Sequence, residues 1–422
     1  MGRWGGLSPT ASPEDLWRRV APQVTAALVR RYGDVDRAED AVQEALLAAD
    51  RQWPLEGLPD DPKAWLVRVA SRRLVDAWRS DTARAAREDR LVPRGGDLVA
   101  PPADHPDRSA HDDSLVLLLL CCHPALTRPS QVALTLRVLA GLSTAQVARA
   151  LLVPETTMAQ RISRAKATLR ELDAPFAPPA AAELPDRVAA VTQVLYLVFT
   201  EGHAATTGDR VTDVSLAQEA IRLTRDLHRW LPEDDEVTGL LALMLLSHAR
   251  RRARTTPYGD LVPLAEQDRR LWDAGLVAEG LALVEEVLPR GRVGAYQLQA
   301  AIAAVHAEAP SSQDTDWAQV AALYAMLADV APSPVVTLNR AVAVAEVDGP
   351  TAGLAMVEPL VEHPALRRGH RVHAVRAHLL ERAGRREEAR EAFVRAADLA
   401  TSTPEQRHLR RLAQALTDPP SG

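Results

Sequence analysis

Residues 141–170 constrain the fold most tightly. Gly141-Leu142-Ser143 ends one helix and caps the next, and Ser143-x-x-Gln146 has the spacing of a capping box. Ala145, Ala148 and Leu151 mark a short apolar stripe, and Leu152-Val153-Pro154 forces a turn. Pro154, at the first helical position, then starts a helix reaching Arg170. Two short helices across a tight turn, the second rich in arginine, make a helix-turn-helix. At 100° per residue, Met158, Ile162, Ala165 and Leu169 fall within about 60° of one another and form a buried stripe. The outer face carries Thr156, Gln160, Ser163 and Ala167, with Arg161 and Arg164 on one flank and Lys166 and Arg170 on the other. Such a layout reads a major groove: Gln pairs with adenine, Arg with guanine, and flanking cations neutralise phosphate. The competing reading is a surface helix with incidental arginines.

The rest of the chain is patterned for helix as well. Over 422 residues aromatics are only 4%, and turn residues punctuate apolar runs of helical period. This length calls for two or three domains. The longest uncharged stretch, Val293 to Ala307, is 15 residues, short of the roughly 20 that a membrane helix needs. The first 17 residues lack the apolar core of a signal peptide. Adjacent Cys121 and Cys122 cannot staple a fold, and no Cys-x-x-Cys pair exists for zinc. They follow the apolar run Leu115 to Leu120 and read as core. The expectation is a cytoplasmic chain with no metal site and no cofactor. No GxSxG, phosphate-binding loop, HExxH or paired-carboxylate arrangement occurs, so no enzyme is expected.

Charge alternates sharply along the first 170 residues. Asp34 to Asp61 holds nine acids and two Arg; Lys63 to Arg94 holds nine bases and four acids; Arg128 to Arg170 holds seven bases and one acid. Two basic segments and one acidic segment point to two nucleic-acid contacts and a cationic protein partner, against the plainer reading of solvated helix faces. In the acidic segment Ala38, Ala41, Val42, Ala45, Leu46 and Ala49 form an apolar stripe, and Asp40, Gln43, Glu44 and Leu47 face outward. An outward leucine among acids suits docking on a basic helix. Arg51 to Asp61 reads as a loop, and a helix from Pro62 to about Ser80 aligns Arg68, Arg72 and Arg79 beside Trp65. The arginines fit a phosphate backbone, whereas Trp65 fits either a core position or a platform for an unpaired base.

Gly33-Asp34 with Ala38-Glu39-Asp40-Ala41-Val42-Gln43-Glu44-Ala45 resembles region 2 of the extracytoplasmic-function sigma factors of the sigma-70 family. Pro62-Lys63-Ala64-Trp65-Leu66, with Val69-Ala70 and Leu74-Val75-Asp76, resembles the promoter-melting helix of that region, and Leu142 to Arg170 is similar to region 4. From about Leu184 the chain resembles the helical, tetratricopeptide-like extension of one subgroup, through Tyr196-Leu197-Val198-Phe199, Gln297 to Ile302 and Asn339 to Val344. Ala377, Gly384, Ala389, Phe393 and Ala396 have the spacing of one repeat, and Gly349 lies 35 residues before Gly384.

The resemblance implies an all-α fold: region 2 over 12–82, a flexible linker over 83–112, region 4 over 113–173 and the extension over 184–417. It also implies an alternative sigma factor that directs core RNA polymerase to promoter DNA. Asp40, Gln43, Glu44 and Leu47 would meet the clamp helices of the largest polymerase subunit. The Arg51–Asp61 loop and the helix after it, with Trp65, Arg68, Arg72 and Arg79, would meet the −10 element, and Thr156, Thr157, Gln160, Arg161, Arg164 and Lys166 the −35 element. The extension would modulate activity by contacting a regulatory protein or peptide. The family commonly carries Asn where Arg72 stands and Gly where Leu152 stands. The alternatives are a stand-alone helix-turn-helix regulator with a helical sensing domain, and a solenoid scaffold.

Overall fold

A computed structural model describes residues 13–88, 110–151, 153–172, 175–203, 214–256, 260–291 and 293–417. Among them every regular element is a helix, apart from one bridge pairing Thr255 with Leu261. None of these helices is long and apolar enough to cross a membrane. The chain divides into two compact units, residues 1–194 and 195–422.

In the first unit α1 (Pro13–Tyr32), α2 (Val35–Glu56) and α3 (Pro62–Glu88) pack on one another. Asp34 caps α2 by accepting from the backbone N–H groups of Asp36 and Arg37. Two expectations need correction here. The segment 51–56 is helical, not looped, and α2 carries Pro54 in its last turn. Trp53, 2% exposed, anchors that turn, so burial outweighs the one backbone hydrogen bond the proline removes. Helix α3 also continues beyond Ser80 to Glu88, because no Gly or Pro interrupts residues 81–88. The first residues of the expected linker are therefore helical; residues 89–109 lie outside the described residues.

The same unit continues with α4 (Ala110–Cys121), α5 (Arg128–Val138), α6 (Thr144–Ala150) and α7 (Glu155–Glu171). Helix α4 packs against α1, and Arg30 pairs with buried Asp113 at 3.1 Å. Leu115 to Leu120 are all buried, as are both cysteines. Burial pushes the Cys122 thiol up to about 12, so neither reactivity nor metal binding is favoured there. Gln131 on α5 donates to the carbonyls of Cys122 and His123 and closes the turn after α4.

The second unit begins within α8 (Leu184–His203), followed by α9 (Val214–Trp230), α10 (Asp235–Ala249), α11 (Ala274–Val287), α12 (Ala295–Glu308) and α13 (Trp317–Val330). It ends with α14 (Pro334–Val347), α15 (Pro350–Val361), α16 (His370–Arg382), α17 (Arg386–Leu399) and α18 (Thr403–Ala415). Helix α10 is buried almost all round, between α9, α11 and α12. The Glu236 carboxylate accepts from the backbone N–H groups of Tyr296 and Gln297 and so caps α12 from a different helix. From α12 onward each helix packs on the next, as in a solenoid.

The repeat is clearest at α14–α17. Helices α14 and α15 begin at Pro334 and Pro350, and α16 and α17 begin 36 residues later, at His370 and Arg386. Ala341, Gly353, Val357 and Leu360 occupy the same register as Ala377, Ala389, Phe393 and Ala396, and all are buried. Gly349 and Gly384 both hold positive φ, +89° and +76°, which sterics reserve largely for glycine. Their separation is 35 because α15 starts directly after Gly349, whereas Arg385 intervenes before α17.

Burial, reinforced by nearby arginines, lowers His248 and His306 to about 4. The unfolded chain protonates both near pH 6.5, while the folded unit keeps them neutral. Their contribution to stability is therefore complete above pH 6.5 and is lost as pH falls toward 4. Between pH 7 and pH 5 the loss is expected to be about 2 kcal/mol per histidine. Denaturant titrations of the full chain at both pH values, beside His306→Gln, measure it; an unchanged pH slope in that variant would contradict the assignment.

Candidate nucleic-acid interface

The helix-turn-helix is built as its sequence spacing predicts. The Ser143 hydroxyl accepts from the Gln146 N–H at 3.2 Å, and the Gln146 side chain accepts from the Ser143 N–H at 2.8 Å, a complete capping box. Helix α7 opens at Glu155, one residue later than expected, with Pro154 as its cap. Leu152 lies outside the described residues. Met158, Ile162, Ala165 and Leu169 are the buried residues of α7. Thr156, Thr157, Gln160, Ser163 and Arg164 are exposed, and Arg161 is half-buried at their flank. Arg137 on α5 braces the turn by donating to the Leu142 carbonyl at 2.9 Å.

Lys166 does not join that outer face. Its side chain is 10% exposed, and its ammonium lies 2.7 Å from Asp36 and 2.7 Å from Glu39, both on α2. The expectation that it meets phosphate is corrected: two carboxylates already hold it. Arg137 pairs with the same Glu39, whose side chain is only 4% exposed. Burial alone would depress the Lys166 ammonium, yet the two carboxylates outweigh burial and raise it above its ordinary value. Two cations from α5 and α7 thus clasp an acidic pair on α2. The sequence reading missed Asp36, Glu39 and Arg137. Glu39 lies three and seven residues before Val42 and Leu46, at the edge of the apolar stripe, and that register was the available signal.

The outward face of α2 carries Asp40 and Glu44 exposed, Gln43 half-buried and Leu47 58% exposed. Burial and then the neighbouring Asp36 raise the Asp40 carboxyl above its ordinary value, against the pull of Lys166 and Arg137. A cleft of about 330 Å³ opens beside this face, lined by Trp17, Gln43, Leu46, Leu47 and Leu142 among others. On α3, Arg68, Arg72 and Arg79 are exposed. Trp65 is half-buried, edge-on to Trp53 with ring centroids 5.3 Å apart, so it closes the seam between α2 and α3. The basic face of α3, the acidic face of α2 and the polar face of α7 are therefore three surfaces of one unit. Among the described residues no group of three His, Cys, Asp or Glu side chains could hold a metal ion.

Comparison with known proteins matches these parts. Residues 16–84 match the family model for sigma-70 region 2, residues 117–169 that for sigma-70 region 4, and residues 187–288 a family of unknown function. The chain is 45% identical to an uncharacterised protein of Rhizobium meliloti over 95% of both chains. It is 31% identical to the probable ECF RNA polymerase sigma factor SigI of Mycobacterium tuberculosis, over 37% of this chain and 53% of that one. It is 30% identical to the ECF RNA polymerase sigma factor SigK of a Mycobacterium species, over 35% of this chain and 75% of that one. No solved structure matches. With regions 2 and 4 in family order, a helix-turn-helix built on a capping box and a helical C-terminal part, the chain belongs to the ECF RNA polymerase sigma factors and is an alternative sigma factor that directs transcription initiation.

Proposed function

We propose that the three faces divide the work of initiation in the cytoplasm. The exposed row Thr156, Thr157, Gln160 and Arg164, with Arg161 at its flank, reads the −35 element in the major groove. Arg68, Arg72 and Arg79 grip the −10 region, with Trp65 at the rim of that face. Asp40, Gln43, Glu44 and Leu47 dock on the clamp helices of the largest subunit of core RNA polymerase, and the adjoining cleft at Trp17 and Leu142 offers room for a partner side chain. The helical second unit modulates this activity by engaging a regulatory protein or peptide.

The single observation that carries the reading is the two-faced helix α7: four buried apolar residues beneath a polar outer face, set by the capping box before it. Arg161→Ala with Arg164→Ala is expected to lower promoter-specific run-off transcription at least tenfold, with core-polymerase binding unchanged. Normal transcription by this double variant would remove α7 as the reading helix. A stand-alone regulator would have no use for an exposed Leu47 between acids, and no other feature favours that reading.

A further inference from the structure

The second unit gathers arginines that nothing described so far employs. Arg250 follows α10, Arg254 lies one turn further, and Arg269 opens a short 3-10 turn ending at Leu271. The Arg269 guanidinium stands 4.6 Å from the centre of the Trp272 ring, and that of Arg250 5.9 Å from the same ring. Arg269 also donates to the His306 carbonyl. Acids of this segment are engaged elsewhere: Asp273 holds Arg251 at 3.3 Å, and Asp268 holds Arg270 at 2.8 Å. Among the described residues, Arg250 and Arg269 have no carboxylate within ion-pairing distance. Asp314 acts on Arg269 only at longer range, while Arg254 feels both Glu405 and the like charge of Arg371. The Trp272 indole N–H is buried without an acceptor.

Such a gathering of half-buried like charges is unfavourable as it stands. Burial, then Arg254 and Arg269, bring Arg250 down to about 10, and Arg250 and Arg269 help to hold His306 at about 4. The dipole of α10 accounts for a cation at its C-terminal end, but not for Arg269 arriving from another turn onto the same indole. A bound anion would offset that repulsion. Guanidinium forks from separate turns suit a group with several acceptor oxygens and two charges better than a carboxylate with two oxygens and one charge. The indole already has guanidiniums over it, so it orients them and is not a platform for a base.

We propose that Arg250 and Arg269, ordered by Trp272, form an anion site that takes a phosphoryl group, free or carried on a small molecule. The test uses the full-length protein and inorganic phosphate, titrated against chloride and acetate at matched ionic strength and followed by phosphorus NMR and thermal melting. Saturable binding specific to phosphate is expected. Arg250→Gln and Arg269→Gln should each weaken it at least tenfold, while Arg225→Gln, which breaks a surface pair with Glu279, should leave it unchanged. If a Gln variant does not fold, Arg250→Lys and Arg269→Lys keep the charge without the fork and should bind more weakly than the native protein. Bound phosphate should also move the His306 titration upward, a readout independent of transcription. Phosphate acting no differently from chloride would overturn the proposal, as would native affinity in both Arg variants. A glutamate-rich peptide that binds where phosphate does not would overturn it too, and would assign these arginines to a protein partner.

Discussion

Glu39→Gln is expected to destabilise the first unit by about 3 kcal/mol, the scale for removing one partner of a buried ion pair. The Glu39 side chain is 4% exposed, and the cations against it are only 10% and 19% exposed, so water cannot replace the lost charge. Lys166 would keep Asp36, but Arg137 would keep only its hydrogen bond to the Leu142 carbonyl. Lys166→Met should be destabilising for the converse reason, since it leaves Glu39 with Arg137 alone. In the double variant part of the loss should return, giving a coupling of about 1–3 kcal/mol between the two sites. The pH dependence follows from the raised Lys166 ammonium: its contribution is complete below 10.5, the ordinary lysine value, and is lost as pH climbs through the still higher folded value. Denaturant unfolding of the native protein and the three variants at pH 7 reads the cycle. Strictly additive effects would show that the clasp is a crystal-like arrangement of charges with no energetic coupling.

That clasp marks the limit of what the sequence alone discloses. The buried stripe of α7, the Ser143–Gln146 box and the repeat register around Gly384 all follow from local rules of period, capping and φ, and each is present as read. The outward set Asp40, Glu44 and Leu47 follows from period as well. The errors have non-local causes. Residues 51–56 contain Pro54 and looked like a loop, but buried Trp53 packs against Trp65 in the first turn of another helix, and that contact favours the helix. Lys166 looked like a phosphate ligand because its own helix gives it a flank position, yet its partners come from a segment 130 residues earlier. Glu39 was passed over because a carboxylate at the edge of an apolar stripe is ordinarily solvated, and only the arrival of Arg137 and Lys166 makes its burial tolerable. The cationic site at Trp272 was equally hidden, since Arg250 and Arg269 are far apart in the chain and meet only on one indole ring.

Asp40→Arg combined with Glu44→Arg should weaken association with core polymerase by roughly a hundredfold, about 3 kcal/mol. Both side chains are exposed, so the reversal introduces no buried charge and should leave the fold intact. Among the described residues the ion pair it disrupts, Glu44 with Arg73 at 3.7 Å, is more than half exposed at both ends and contributes little. A loss of binding would therefore report repulsion from a basic partner rather than unfolding, which circular dichroism of the variant verifies. Leu47→Ala tests the apolar half of the same face and should lower affinity without changing its salt dependence, whereas the charge reversal should flatten that dependence. The Arg161/Arg164 double variant provides the complementary failure: polymerase bound, promoter unread. If both double variants lost polymerase equally, α2 and α7 would have to share one docking surface, which their separate exposed faces do not favour. If the charge reversal left recovery on a polymerase pull-down unchanged, the acidic face of α2 would be excluded as the dock. Attention would then pass to the cleft between Trp17 and Leu142, a concave surface beside it.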